Sequence, residues 1–260
     1  MSLYFLSFAD VNFFAGALAR CKIQAENFED ENKNKIFKKV FCINSDDLKV
    51  EYPEFYSQHS NFIENNPRGY GYWIWKPYLI WKTMESLNEN DILFYMDSGC
   101  QLNYSGLDRF KFYCQKADEI GGLNFFMHHL TSEYTKMDTY RRIFPNTDDA
   151  LDTYQRIGGI LFLKCSEKNK NFFKECYNIC VEDSYRYVDD TPSEKPNHES
   201  FIDHRHDQSI FSLMVEKHKI FYELLDETWW PPNWGESGKD YPIWATRNPG
   251  FYLSDVIWEN

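Results

Sequence analysis

Three short stretches of this 260-residue chain carry side chains that can do chemistry. The first is Asp97-Ser98-Gly99, directly after the apolar run Asp91-Ile-Leu-Phe-Tyr-Met96. Open α/β sheets bind ligands outside the carboxyl ends of their strands, so a carboxylate there projects into the crevice, and Gly99 lets a ligand approach the backbone. The plainer alternative is that Asp, Ser and Gly only make a turn. Phe8 and Asp10 close the first apolar run in the same way, and Asp46-Asp47 follow the second. The second stretch is Arg68-Gly-Tyr-Gly-Tyr-Trp-Ile-Trp-Lys-Pro77, a glycine loop before a helix start flanked by Arg68 and Lys76. Such a loop offers N–H groups and cations to a phosphate. Trp73, Trp75 and Trp81 read more simply as a core stripe. The third is His204-Arg-His206-Asp207-Gln208. Two histidines two apart can share a metal in extended chain, whereas Asp207 alternatively caps the following helix. His128-His129 reads as a loop pair.

These stretches must be positioned by an α/β framework. Strand patterns run over Leu3–Phe8, Lys39–Asn44, Asp91–Met96, Gly122–Met127, Ile157–Lys164 and Ile220–Leu225. Helical spacing appears over Ala15–Asn32, Tyr72–Leu87, Leu107–Ile120, Thr135–Phe144 and Glu167–Val181, and from His206 to about Lys217. Pro77 falls near a first turn, where proline is tolerated. Strand, helix and strand at the start predict a Rossmann-like, mainly parallel sheet flanked by helices. The polar segment from Glu182 to His206 reads as a loop. The Trp- and Pro-rich tail from Trp229 to Asn260 shows no regular element.

Composition narrows the classes. Length is ample for one domain with its own core, here 1–260 with a nucleotide-binding half over about 1–103 and an acceptor half after it. Hydrophobic (43%) and charged (26%) fractions exclude disorder. The 22 Phe, 18 Tyr and 8 Trp suit either a core or flat platforms for sugars and bases. A net charge of −12 speaks against nucleic acid as partner. Seven dispersed cysteines without a Cys-x-x-Cys pair read as reduced thiols in a cytoplasmic protein. The N-terminus reads as a strand, not a leader, and no apolar run reaches spanning length. Peripheral association at the inner face of a membrane is compatible with this. Phosphate-loop, Gly-x-Gly-x-x-Gly and nucleophile-elbow motifs are absent.

Taken together, Gly-Tyr-Trp-Ile-Trp-Lys-Pro (71–77), Asp-Ile-Leu-Phe-Tyr-Met-Asp-Ser-Gly-Cys (91–100), Gly-Gly-Ile-Leu-Phe-Leu-Lys (158–164) and Arg-His-Asp-Gln-Ser (205–209) resemble bacterial glycosyltransferases of the type-A fold. The likeness is greatest to those of capsule and lipopolysaccharide synthesis, and it covers Leu3 to about Leu225. It implies that fold, a nucleotide-sugar donor, a glycan or glycolipid acceptor, and Mn²⁺ or Mg²⁺ neutralising the leaving diphosphate. The donor would lie against Phe8, Asp10, Arg68, Lys76, Asp97, Ser98 and Gly99. Asp207 and Gln208 would serve the sugar or the acceptor. The family's acidic motif is Asp-x-Asp, and here the second carboxylate is missing. Two arrangements stay open: Asp97 holds the metal with His204 or His206, or Arg68 and Lys76 replace it. Two rivals remain, a carbohydrate-binding protein on a degenerate transferase fold and a metal-dependent hydrolase centred on His204, His206 and Asp207.

Overall fold

The structure, a computed structural model, describes residues 1–251, so the last nine residues of the tail lie outside the described residues. In chain order the first elements are β1 (Leu3–Ala9), α1 (Ala15–Glu26), β2 (Lys39–Asn44), α2 (Ser45–Glu51), α3 (Pro53–Asn65), α4 (Gly69–Tyr72) and α5 (Trp75–Glu85). The middle of the chain gives β3 (Ile92–Met96), β4 (Gln101–Leu102), α6 (Leu107–Ile120), β5 (Gly122–Leu130), α7 (Thr131–Tyr134) and α8 (Met137–Ile143). The rest is β6 (Tyr154–Arg156), β7 (Ile160–Lys164), α9 (Glu167–Val181), α10 (His206–His218), β8 (Tyr222–Leu225) and β9 (Ile243–Trp244).

Seven strands form one sheet in the order β2-β1-β3-β7-β5-β6, with β8 also paired to β5. β1 pairs in parallel with β2 and β3, and β5 with β8, while β7 is antiparallel to β3 and β5 and β6 is antiparallel to β5. Five of the seven strands therefore point one way and only β6 and β7 oppose them, a mixed, mainly parallel sheet flanked by helices. Their shared carboxyl ends gather Asp10, Asp97 and Asp226 at one edge.

Alternation along β1 sends Tyr4, Leu6 and Phe8 to one face of the sheet and Phe5 to the other. On the first face they meet Leu79 and Ile80 of α5, Phe172 and Phe173 of α9 and Phe211 of α10. On the second, Phe94, Phe110 and Phe162 pack with ring centroids 4.5 to 5.4 Å apart. Much of the aromatic excess therefore fills the core. All seven cysteines are free thiols, with Cys176 and Cys180 buried on α9. Among the described residues no helix is long and apolar enough to cross a membrane.

Several expectations are revised. The first helix stops at Glu26, and the strand read over Ile157–Lys164 begins only at Ile160, after the break at Gly158-Gly159 that separates it from β6. The helix read over Thr135–Phe144 is α8, shortened to Met137–Ile143, and α2 and α3 fill a stretch that shows no clear pattern in the sequence. Asp46 and Asp47 do not face the crevice. The Asn44 side chain accepts both their N–H groups, and the Asp47 carboxylate accepts the Asn44 N–H in return, a reciprocal helix cap. The tail is not wholly irregular, because β9 pairs with β4.

The largest departure is at Gly69–Trp73. All five residues have positive φ, between 52° and 79°. Tyr72 and Trp73 donate to the carbonyls of Arg68 and Gly69 at 2.8 and 3.1 Å, which makes this segment one turn of left-handed helix. Each non-glycine residue there costs about 1–2 kcal/mol, so Tyr70, Tyr72 and Trp73 together store about 3–6 kcal/mol. At Gly69 a Cβ would run into the Trp73 ring, and at Gly71 it would lie 2.8 Å from Ile63. The glycines are thus needed for the hand of the turn. The right-handed α5 begins only at Trp75, after the Trp75 indole N–H has bonded back to the Gly69 carbonyl at 2.9 Å.

Candidate active site

The strand ends open into a cleft of about 870 Å³, in the size range of small-molecule sites. Phe8, Asp10, Arg68, Asp97, Ser98, Gly99 and Gln208 all line it, contributed by segments that are distant in sequence. One wall is aromatic: Phe8 packs on Trp75 at 4.0 Å and on Tyr70 at 5.8 Å, and the left-handed turn adds Trp73. Asp10 organises the loop after β1, accepting from the Ser45 hydroxyl at 3.1 Å and the Asn12 N–H at 3.2 Å.

On the floor, Asp97 continues the β3–β7 ladder, its N–H donating to the Gly159 carbonyl at 2.8 Å. A Cβ at Gly159 would sit 2.5 Å from Asp97 Oδ2, so only glycine leaves that carboxylate its place. Asp97 Oδ1 accepts from the Tyr95 hydroxyl and lies 3.3 Å from Lys76 Nζ. The same ammonium lies 3.1 Å from Asp207 Oδ2. Asp97 keeps 39% side-chain exposure, whereas Lys76 keeps 7% and Asp207 10%. Asp97 is thus the carboxylate that faces the cleft, with Lys76 and Asp207 behind it, where both also border a small second cavity.

The position of Lys76 corrects the phosphate contact expected from the sequence. Its neighbours Trp75 and Pro77 are buried, and they carry its side chain inward to two carboxylates instead of outward to a ligand. Burial works against the Lys76 charge, but Asp207 and Asp97 outweigh it and hold its pKa above the ordinary value. Burial pushes the Asp207 carboxyl up to about 6, with Lys76 pulling down and Asp97 pushing up. One ammonium shared by two carboxylates explains both directions. Asp207 is not the helix cap: Arg205 holds that position, without a side-chain cap bond.

The neighbouring turn is fixed from below. The buried Arg20 of α1 donates to the carbonyls of Ser98 (2.9 Å), Cys100 (3.3 Å) and Asn248 (3.0 Å). Gly99 faces the tail as well as the cleft. Its carbonyl accepts from Asn248 N–H at 3.0 Å and Thr246 Oγ1 at 3.1 Å, and a Cβ at Gly99 would lie 3.3 Å from Arg247 Cα.

His204 and His206 do not line the cleft. His204 Nδ1 accepts the Lys136 N–H at 3.3 Å, so its Nε2 donates to the Tyr187 carbonyl at 3.0 Å. His206 Nδ1 lies 2.7 Å from the Val188 carbonyl, its ring stacks on Tyr72, and its Nε2 is 3.7 Å from Asp190. Burial lowers the pKa of both rings, that of His204 well below the ordinary range. They hold down the segment after α9, which the sequence read as a plain loop. Arg68 stands on the cleft but faces Asp190 at 3.2 Å and Asp203 at 3.8 Å.

A cation site built from Asp97 with His204 or His206 does not assemble. Asp97 Oδ1 and the Asp207 carboxylate are already held by an ammonium, and both histidines bond to backbone. Among the described residues no three of His, Cys, Asp and Glu come together as a metal site.

The sequence reading missed Tyr95, Gly159, Arg205 and Arg247. Gly158-Gly159 before a strand was a visible signal for close approach. Arg205 lay inside a motif already singled out, but nothing in Ala-Thr-Arg-Asn-Pro marked Arg247.

No protein family and no curated protein matches the sequence. Among solved structures, the chain is similar to mouse xyloside xylosyltransferase 1 in its apo form, with a TM-score of 0.48 and 11% identity over 98% of this chain and 99% of that one. It is also similar to a glycosyltransferase involved in the glycosylation of the major capsid of PBCV-1, with a TM-score of 0.48 and 10% identity over 94% and 91% of the two chains.

Proposed function

We propose that the protein is a glycosyltransferase that moves a sugar from a nucleotide-diphosphate donor to a hydroxyl of a glycan or glycolipid. The observation that carries this reading is Asp97. It is a carboxylate at the end of the central strand, held by Lys76 and Tyr95 from behind and open to a cleft of donor size in front. The aromatic wall of Phe8, Tyr70, Trp73 and Trp75 suits a base or a sugar face. Gln208 lines the cleft, its buried amide nitrogen has no hydrogen-bond partner among the described residues, and the side chain suits a sugar hydroxyl. In the net reaction the acceptor oxygen bonds to the anomeric carbon. The bond from that carbon to the phosphate oxygen breaks, the nucleoside diphosphate leaves with the electron pair, and the hydroxyl proton passes to Asp97. Lys76 and Asp207 position Asp97 and set its charge environment. The motifs at 71–77, 91–100, 158–164 and 205–209 support the finer setting, surface polysaccharide synthesis of the capsule or lipopolysaccharide kind at the inner membrane face.

The test is release of nucleoside diphosphate from a panel of nucleotide sugars, with and without simple glycan acceptors. Release from at least one donor is expected, reduced about 10²–10⁴-fold in Asp97→Asn. No release from any donor, or undiminished release by Asp97→Asn, would overturn the reading.

A further inference from the structure

We propose that Arg205 and Arg247 form a diphosphate clamp across the cleft, and that this site takes up the donor's diphosphate without a divalent cation. The proposal rests on the transferase reading above and deepens it. The chain has nine arginines. Six pair with carboxylates: Arg68, Arg109, Arg141, Arg142, Arg156 and Arg186. Arg20 is spent on backbone carbonyls. Among the described residues Arg205 and Arg247 are left with neither a carboxylate nor a backbone carbonyl on the guanidinium, and both line the cleft. In a chain of net charge −12 with 40 acidic residues, two arginines kept clear of acid at one site point to an anionic ligand.

Their surroundings suit that role. The Arg205 guanidinium lies over the Tyr134 ring at 4.1 Å, with one N–H toward Met127 Sδ at 3.4 Å, and Arg247 lies over Trp229 at 5.0 Å. Stacking uses the face of a guanidinium and leaves its edge, a fork of N–H donors that matches phosphate oxygens. The two approach from separate elements. Arg205 stands at the start of α10, three residues before Gln208, whose amide nitrogen lacks a partner. Arg247 rides on the tail that crosses Gly99, held there by the Thr246 and Asn248 bonds to the Gly99 carbonyl. Its φ of +54° is a conformation that side chains rarely adopt, so the tail is strained where it presents this residue.

The same crossing leaves little room for a second carboxylate at position 99. With Arg247 Cα 3.3 Å from where a Cβ at position 99 would sit, a larger side chain there is crowded by the tail. The Asp97-Ser98-Gly99 turn thus carries one carboxylate, already neutralised from behind by Lys76, and an arginine beside it. A diphosphate needs positive charge at that point, and the chain supplies it from its own residues.

The test is calorimetric titration with inorganic pyrophosphate and with UDP, GDP, CDP and ADP. Wild type, Arg205→Gln, Arg247→Gln and the double variant are compared after EDTA dialysis and again in millimolar Mn²⁺, with thermal unfolding of each variant as the folding control. Pyrophosphate and at least one nucleoside diphosphate are expected to bind equally with and without metal. Each single variant should bind about ten- to a hundredfold more weakly at unchanged melting temperature. Binding that appears only with Mn²⁺, or that survives intact in the double variant, overturns the clamp and leaves the transferase reading standing. Absence of binding by every probe in both conditions overturns both.

Discussion

Replacing Lys76 by methionine keeps roughly the shape of the side chain and removes its charge. Lys76 is 7% exposed and lies between Asp97 and Asp207, 3.3 and 3.1 Å from their oxygens. Without it the Asp207 carboxylate, 10% exposed, has lost its counter-charge, and Asp97 stands near it with the same sign. Removing one partner of a buried pair costs about 3–5 kcal/mol. A chain of this size loses roughly 2–4 °C of melting temperature per kcal/mol, so Lys76→Met is expected to melt about 6–20 °C below the wild type at pH 8. The deficit should shrink at pH 5, because the Asp207 carboxyl is already held up to about 6 and protonates readily once its cation is gone. Lys76→Met/Asp207→Asn should recover most of the loss. Thermal unfolding followed by circular dichroism at both pH values checks this. A Lys76→Met protein that melts within about 2 °C of the wild type at pH 8, or whose deficit is the same at both pH values, would refute the counter-ion role.

Three further outcomes follow from the same floor. Transfer activity should fall as pH drops through about 6, because protonating Asp207 turns the whole Lys76 charge onto Asp97, and the acid limb should vanish in Asp207→Asn. The stability effect has the opposite sense. The folded carboxyl binds its proton more tightly than an ordinary aspartate, so Asp207 destabilises the fold progressively as pH rises from about 4 to about 6, and Asp207→Asn flattens the melting temperature over that window. Gly159→Ala places a Cβ 2.5 Å from Asp97 Oδ2, so donor turnover should drop at least about tenfold while the melting temperature falls by only a few degrees; an unaffected rate would show that Asp97 need not hold its present position.

The framework was legible because its signals are local. Ile92–Met96 is apolar throughout because β3 lies between β1 and β7 and is buried along its length, and an acid after such a strand falls at the ligand edge of the sheet. Asp97 could be placed on the cleft by that rule, Arg68 by its glycine loop, and Gln208 by the resemblance at 205–209. Lys76 could not, because what turns it inward is a pair of carboxylates on β3's end and on α10, and no spacing near Lys76 shows them. The histidines misled for a related reason. His204 and His206 have the spacing of ligands, but backbone carbonyls of Tyr187 and Val188 claim their ring nitrogens, and carbonyls leave no mark in a sequence. The left-handed turn was half visible: the glycines at 69 and 71 announced unusual backbone, but Tyr70, Tyr72 and Trp73 adopt it too, against their own preference. Arg247 was hidden in a tail whose course is set by bonds to Gly99, far away along the chain.

The most direct test of the account is protection from hydrogen exchange on saturation with a nucleoside diphosphate. Slowed exchange is expected in the segments that line the cleft, residues 67–75, 97–100, 205–208 and 245–247, and none around the buried His59 of α3, which is not among the cleft-lining residues. Protection confined to segments outside the cleft, or no protection with any of the four diphosphates, would contradict it.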